Sequence, residues 1–511
     1  VTDQHLDAST ATVEEPPASP APAPSGPTAA AGGTAAGTMS ARDRLAVTLL
    51  LVSTFVVILN ETIMGVALPR LRDDLGVTAS AAQWLTTGFL LTMAVVIPVT
   101  GFLLQRLTTR AAFLGAMTAF SVGTTVCALA PGFEVLLAGR VVQALGTAVM
   151  LPLLMTTVMN VTPPEGRGRT MGNISVVISV APAIGPTVSG LILSVLDWRW
   201  MFGLVLPIAL TALVLGALRL PNVTEPRWAR VDVPSVVLSA IGFGGLVFGL
   251  SHVGEAAQGG VDPTTVGALA VGVVGLGVFV ARQLRLQRRD DALLDLRTFR
   301  VRTFAVGVAL MAVMMMSLFG SIIMLPIYAQ DVLGLDTLRT GLLLLPGGLL
   351  MGLLAPIVGR AYDRLGPRPL LVPGTVLVSL AVWAMALLLR EGGTPWVVVG
   401  AHLTMSAGLA LVFTPLFTSA LGAVPKPLYS HGSAVIGTVQ QVAGAAGTAV
   451  FVTVLTAVSA GLVADGADAV TATAGGVRGA FLLGAILSLP AIGAALLVRP
   501  APPGAERPVG H

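Results

Sequence analysis

The 511-residue chain is short of what water-soluble domains and their chemistry need. Charged residues make up only 11% of it, against about a quarter in ordinary soluble domains, which excludes a water-surrounded globule. There is one cysteine, Cys127, so no disulfide framework forms within the chain, and it reads as a small packing residue. No phosphate-cradling glycine loop ends in Lys-Ser or Lys-Thr, so nucleotide hydrolysis is not the energy source. No His/Cys/Asp cluster has metal-ligand spacing, so neither metal nor other cofactor is expected, and nothing points to an enzyme. Residues 1–40 are rich in Ala, Pro, Thr and Ser and lack a cationic start with an apolar core, so they are expected to be a disordered tail and not a signal peptide. Met39 is the expected natural start. The sequence pI is 9.9, but the basic residues are spread over loops, so nucleic acid is not an expected partner.

What the chain has is apolar length. Hydrophobic residues make up 54% of it, and its mean hydropathy is +0.87. A spanning helix needs about 20 apolar residues. Fourteen such runs are found between 45 and 498, the shortest near 233 and 264, with twelve as the alternative count. With the N-terminus inside, the inner loops and tails hold 22 of the 29 Lys and Arg residues. The outer loops hold six, Arg70, Arg72, Arg199, Arg339, Arg390 and Arg478, and Arg140 lies within a span. This positive-inside asymmetry predicts a multi-pass protein of the plasma (inner) membrane with both termini cytoplasmic.

An internal repeat runs at a constant offset of 258: Leu75 matches Leu333, Gly76 Gly334, Pro98 Pro356, Gly101 Gly359, Arg106 Arg364 and Arg110 Arg368. It pairs spans 1–6 with spans 9–14 and leaves spans 7 and 8 as an insertion. The expected fold is all-α, with two six-helix bundles plus two extra spans. Its parts are a tail at 1–40, an N-terminal bundle at 41–220, the inserted spans and a basic cytoplasmic loop at 221–302, a C-terminal bundle at 303–498 and a tail at 499–511. Within 282–302, seven arginines alternate with Leu293, Leu294, Leu296 and Phe299, which reads as an amphipathic helix on the anionic inner leaflet.

Only one carboxylate, Glu61, lies deep in a span, and acids there are functional candidates by default. Burial favours its neutral form, so Glu61 can take up and release a proton. Arg140 is the one deep basic residue, at a similar depth in the same bundle, with Gln143 one turn below it on the same face. A static Glu61–Arg140 ion pair is the structural alternative. His402 reaches a comparable depth from the other bundle and reads as a packing residue more readily than as a proton relay. The run Met311, Met314, Met315, Met316 reads as core filling or lipid-facing surface, with a soft cavity wall as the functional alternative. Span 5 carries Ala181-Pro182-Ala183-Ile184-Gly185-Pro186-Thr187-Val188-Ser189-Gly190, a density of glycine and proline suited to bending or sliding against a partner.

On these residues the chain resembles the major facilitator superfamily, in its branch of fourteen-span drug:proton antiporters. Gly185, Pro186 and Gly190 are similar to the antiporter motif of span 5, and Arg140-Val141-Val142-Gln143 to the span 4 motif whose arginine is implicated in proton coupling. Asp197-Trp198-Arg199-Trp200-Met201-Phe202 and Leu293-Leu294-Asp295-Leu296-Arg297-Thr298-Phe299-Arg300 resemble the runs before spans 6 and 9. Gly359-Arg360-Ala361-Tyr362-Asp363-Arg364-Leu365-Gly366 resembles the loop motif that latches the bundles on the inner side. In the first-half copy, Gln105 and Thr108 stand where Asp and Gly are usual. In span 1, Asn60 replaces the usual acid and Glu61 follows it, about 100° round the helix. Asn60-Glu61-Thr62, His431-Gly432 and Gln440-Gln441-Val442 are similar to the lincomycin-type exporter subgroup.

The resemblance implies a monomeric exporter of amphipathic drugs and antibiotics, driven by the proton gradient through alternating access. Its proton-coupling residues would be Glu61 and Arg140. Asn60, Gln143 and His402 would line the cavity, and Gly101, Arg106, Arg110, Gly359, Asp363, Arg364 and Arg368 would gate the cytoplasmic side. A dedicated exporter of one natural product or siderophore is the nearest alternative. A nutrient symporter and a non-transporting membrane sensor are more distant ones.

Overall fold

A computed structural model describes Val1, residues 39–223, Pro226, residues 232–256 and residues 262–498. Expectations about the tail up to residue 38 and the tail at 499–511 lie outside the described residues. All regular structure among the described residues is helical. In chain order the first six spans are α1 (Ala41–Leu75), α2 (Ala79–Arg106), α3 (Thr109–Ala128), α4 (Phe133–Val161), α5 (Arg167–Val195) and α6 (Trp200–Arg219). Then come α7 (Val233–Ala256) and α8 (Pro263–Leu286). The last six are α9 (Arg302–Ile327), α10 (Thr337–Leu365), α11 (Arg368–Leu388), α12 (Pro395–Ala423), α13 (Tyr429–Ala464) and α14 (Ala469–Leu497). Each is long and apolar enough to cross a bilayer, with α5 counted as one span despite a 41° bend between Pro182 and Thr187. Short connections make successive spans alternate in direction, so α1 begins and α14 ends at one face, the tail face.

Side-chain caps set many of the ends. Ser40 accepts from the Asp43 N–H at 3.0 Å to start α1, and Gly76, at φ +64°, closes it in the left-handed conformation that glycine adopts without strain. Thr78, Thr108, Asp262, Asp336 and Asp468 cap α2, α3, α8, α10 and α14 in the same way. Hydroxyls inside the spans bond back to their own helix, as Thr124 does to the Phe120 carbonyl at 2.7 Å and Thr438 to that of Ala434 at 2.8 Å. These two hydroxyls thereby stay satisfied without water.

Close helix pairs are made by glycine. A Cβ at Gly146 of α4 would fall 2.2 Å from the Ala116 carbonyl oxygen of α3, and one at Gly123 of α3 would fall 2.4 Å from the Gln143 amide nitrogen. The inserted hairpin is built likewise, with Gly242 and Gly245 of α7 against Gly272 and Gly275 of α8. Contacts between the bundles are paired: α5 meets α10 and α12, and α13 meets α2 and α4. Under the repeat these pairs exchange, which gives two six-helix bundles related by an approximate twofold. α7 packs against both α2 and α13, at the seam between bundles, while α8 packs chiefly on α7.

The 282–302 segment departs from expectation. It is not an amphipathic helix lying on a surface. After α8 the chain makes a single 3-10 turn (Gln287–Arg289), reverses at Asp290 with φ +56°, and makes a second 3-10 turn over Leu296–Arg300. Leu293 and Leu294 are buried in the core, and Asp295 caps the second turn while pairing with Arg297 at 2.6 Å. The left-handed residue breaks the helix, and burial of the two leucines folds the loop under the bundle. The methionine run is core filling, with Met311, Met314 and Met315 all buried.

Candidate functional site

Arg140 is fully buried in α4. An unpaired buried guanidinium would cost several kcal/mol, and its surroundings are built to satisfy it. Its Nη1 donates to Gln143 Oε1 at 2.6 Å and to Asn60 Oδ1 of α1 at 3.4 Å, and its Nε donates to the Leu85 carbonyl of α2 at 3.4 Å. The Phe89 ring lies 4.0 Å from the guanidinium carbon, a cation–π contact. Gln143 Nε2 in turn donates to Thr124 Oγ1 of α3 at 2.8 Å. One polar chain, Asn60–Arg140–Gln143–Thr124, therefore crosses α1, α4 and α3 within an apolar bundle.

Glu61 follows Asn60 on α1. It is partly buried and makes no hydrogen bond or ion pair among the described residues. It lies within electrostatic reach of Arg140 but is not its partner, since Asn60 takes that place. The adjacent positions point in different directions, so Asn60 is locked into the polar chain while the Glu61 carboxyl keeps its protonation sites unoccupied by protein donors.

Thr62, the next residue, reaches α5. Its Oγ1 donates to the Leu59 carbonyl at 2.9 Å and lies 3.4 Å from the Ala181 carbonyl oxygen. A Cβ on Gly185 would fall 2.4 Å from that hydroxyl. Gly185 thus lets α5 close onto α1 beside Glu61, next to the bend between Pro182 and Thr187. Gly190 is exposed and has open space around it. The side chain of Pro186 lies outside the described residues.

The bundles meet at the tail face. Asp363 of α10 accepts from the Gly168 N–H at 2.7 Å and the Arg169 N–H at 2.9 Å. These belong to the first turn of α5, so a carboxylate of one bundle caps a helix of the other, where the helix dipole favours negative charge. Gly168 and Gly359 face each other so closely that a Cβ on Gly359 would fall 2.3 Å from the Gly168 carbonyl oxygen. At the related seam an amide takes the place of the carboxylate. There Gln105 Nε2 donates to the Pro427 carbonyl at 2.8 Å, and Gly101 of α2 lies against the His431 ring of α13. Deeper in, Thr156 and Ser433 share a hydrogen bond of 2.8 Å, and Thr414 donates to Ser175 at 2.8 Å.

The remaining candidates stand apart. His402 packs within the C-terminal bundle, where Gly347 faces its ring and its Nδ1 is buried without a partner; no bond joins it to Arg140 or Glu61 among the described residues. Arg106 and Arg364 are exposed and form no bond across the seam among the described residues. Arg110 donates to Asn222 Oδ1 through its backbone and to the Ala217 carbonyl through its side chain, both beyond α6 or at its end. Arg368 donates to the Val498 carbonyl at 3.0 Å. Three members of the site carry no mark in the sequence. They are Thr124, which ends the polar chain, Phe89 beneath the guanidinium, and Gly168, whose amide meets Asp363. They are ordinary span residues whose roles arise from packing between helices.

The Major Facilitator Superfamily sequence model matches residues 50–448. The lincomycin resistance protein of Bacillus subtilis is 40% identical over 408 residues, covering 80% of this chain and 84% of that protein. The multidrug resistance protein B homolog of Mycobacterium tuberculosis is 31% identical over 439 residues, covering 84% and 80%. The fold is similar to the crystal structure of the human organic anion transporter MFSD10 (TETRAN), with a TM-score of 0.60 at 18% identity, covering 88% of this chain and all of that one. It is also similar to a proton:xylose symporter, with a TM-score of 0.58 at 15% identity, covering 88% and 95%. Paired bundles, fourteen spans and these matches lead to one conclusion: the chain belongs to the major facilitator superfamily and is a membrane transport protein rather than an enzyme.

Proposed function

We propose that the protein exports amphipathic small molecules, antibiotics of the lincomycin type among them, in exchange for protons moving inward. The relatives named for lincomycin and multidrug resistance support the substrate class. The 22-to-6 division of Lys and Arg supports a cytoplasmic tail face.

The observation that carries the reading is the turn Asn60-Glu61-Thr62. Its three residues are Asn60 in the buried guanidinium network, Glu61 with no hydrogen-bond donor among the described residues, and Thr62 against Gly185 of α5. Glu61 is the proton carrier in this scheme. With the tail face sealed by Asp363 on α5, the site is presented to the outer side, where Glu61 takes up a proton and drug leaves. Reopening the tail face exposes the neutral acid to the cytoplasm. The fixed positive charge of Arg140 then favours the carboxylate and drives the proton off. Rocking of the bundles about α5 and α13 supplies the alternation.

The test is a resistance and efflux profile of cells with and without the protein, across many drug classes. Energised efflux of lincomycin together with unrelated lipophilic drugs, abolished by collapsing the proton gradient, is the expected outcome. Resistance to one compound alone would favour a dedicated exporter, and energised uptake would overturn the reading.

A further inference from the structure

The loop that follows α8 folds into a groove rather than a flat basic surface. Its volume is about 390 Å³, and it is lined by Leu284, Gln287, Arg288, Asp290, Arg297 and Arg300. Arg297 is neutralised by Asp290 at 2.5 Å and Asp295 at 2.6 Å. Arg288 and Arg300 are exposed and pair with no carboxylate among the described residues. Three arginines therefore meet two aspartates, Asp290 in the lining and Asp295 beside Arg297, which leaves a local excess of one positive charge. Gln287 is only 8% exposed, and its Oε1 is buried with no hydrogen-bond partner among the described residues. A buried amide oxygen without a donor is a group that a ligand hydroxyl entering the groove would satisfy.

The groove lies at the end of a membrane-spanning helix. Leu284, at its rim, is exposed, and above it Val273, Val274 and Val278 are exposed along the same helix. This is an apolar stripe of α8, the span that packs chiefly on α7. Two apolar chains can lie on that stripe while a headgroup turns into the groove at its tail-face end. The groove asks for a monoanionic phosphate ester that also carries a hydroxyl donor.

We propose that this groove is a binding site for the headgroup of an anionic phospholipid of the phosphatidylglycerol type. The phosphate lies between Arg288 and Arg300, and a glycerol hydroxyl donates to Gln287 Oε1. The site sits on the inserted hairpin, away from Glu61 and Arg140, and does not depend on the transport scheme. Its occupancy would tie α8 to the loop that runs under the bundle, since Gln283 of α8 accepts from the Leu294 N–H at 3.2 Å.

The test uses the full chain in detergent, with lipid binding followed by native mass spectrometry and by titration with fluorescent phosphatidylglycerol. Two double variants remove the same charge: Arg288→Gln with Arg300→Gln inside the groove, and Arg285→Gln with Arg302→Gln outside it. Losing two headgroup contacts predicts at least about tenfold weaker binding for the first pair, and less than about twofold change for the second. All four side chains are exposed, and unchanged thermal unfolding checks that the variants fold. Phosphatidylcholine should not compete. Gln287→Leu should erase the preference for phosphatidylglycerol over phosphatidic acid, which lacks the glycerol hydroxyls. Equal losses in both double variants would show a diffuse basic surface and overturn the site. Binding of free glycerol phosphate as tight as that of the lipid would overturn the assignment to a membrane ligand.

Discussion

The Asp363 carboxylate of the second bundle lies 2.7 Å from the Gly168 amide nitrogen of the first, at the head of α5. The bond has two consequences. It joins the two bundles at the tail face by capping a helix whose other half carries the bend beside Glu61. It also leaves the two seams unequal, because the related seam has Gln105 on the Pro427 carbonyl instead of a carboxylate.

Asp363→Asn keeps the shape and removes the charge. Charge-assisted bonds at a helix N-terminus contribute about 1–2 kcal/mol, so the population open at the tail face should rise roughly tenfold. Distances between spin labels at the tail-face ends of α5 and α10 measure this. Gly168→Ala should open the seam further, since its Cβ would fall 2.4 Å from Asp363 Oδ1 and 2.5 Å from the Gly359 carbonyl oxygen.

Arg140→Lys keeps the positive charge but loses the fork that serves Gln143, Asn60 and Leu85 together. Coupled efflux should fall at least about tenfold while the protein still inserts. Arg140→Ala also leaves Gln143 Oε1 and Asn60 Oδ1 without their donor and opens a cavity, which costs about 2–4 kcal/mol of stability. Thermal unfolding in detergent, set beside efflux rates, separates the two effects. Full-rate transport in either variant would reduce Arg140 to a packing role.

Helix packing has a paired test. Gly146→Ala in α4 forces a methyl to 2.2 Å from the Ala116 carbonyl oxygen, whereas Gly115→Ala in α3 meets nothing within 4 Å. The first should cost several kcal/mol or abolish membrane expression, as overpacking against backbone does. The second should be neutral or stabilising by up to about 1 kcal/mol, the helix-propensity gain of alanine over glycine. Expression level and unfolding temperature check both.

Just outside the membrane span, Asp232 before α7 is held by Arg282 of α8 through two bonds of 2.6 and 2.7 Å. The paired guanidinium is the main reason its carboxyl sits low, at about 2. A carboxylate held low in the folded protein stabilises it above the ordinary carboxylate range near 4. That contribution is lost as pH falls from there through about 2. Asp232→Asn should therefore cost about 0.5–1 kcal/mol at pH 7, the scale of a water-screened ion pair. The gap between wild type and variant should stay constant down to about pH 5 and close below it. Unfolding temperatures across pH measure the gap.

Span number and the repeat were legible in the sequence because apolar length and a fixed offset of identities are one-dimensional signals. Glu61 and Arg140 stood out for a similar reason, as rare charges in long apolar runs. Which neighbour takes the guanidinium was not legible. The choice of Asn60 over Glu61 depends on how α1 is rotated against α4, and that is set by contacts such as Thr62 against Gly185. The loop after α8 misled for a related cause. Its alternating arginines and leucines fit an amphipathic surface helix, but the left-handed Asp290 and the buried Leu293–Leu294 pair are decided by tertiary packing. The expected gating arginines also failed to meet across the seam. Of that loop set Asp363 crosses by a hydrogen bond, and Gly101 and Gly359 cross by close contact.

Proteoliposomes test directly whether Glu61 carries the proton. Wild-type protein and Glu61→Gln are reconstituted with a drug that the wild type exports, and drug-driven proton movement is followed with a pH-sensitive dye. A drug-dependent proton flux is expected in the wild type and none in Glu61→Gln, with drug still bound by the variant. Undiminished drug-driven proton flux in Glu61→Gln would contradict it.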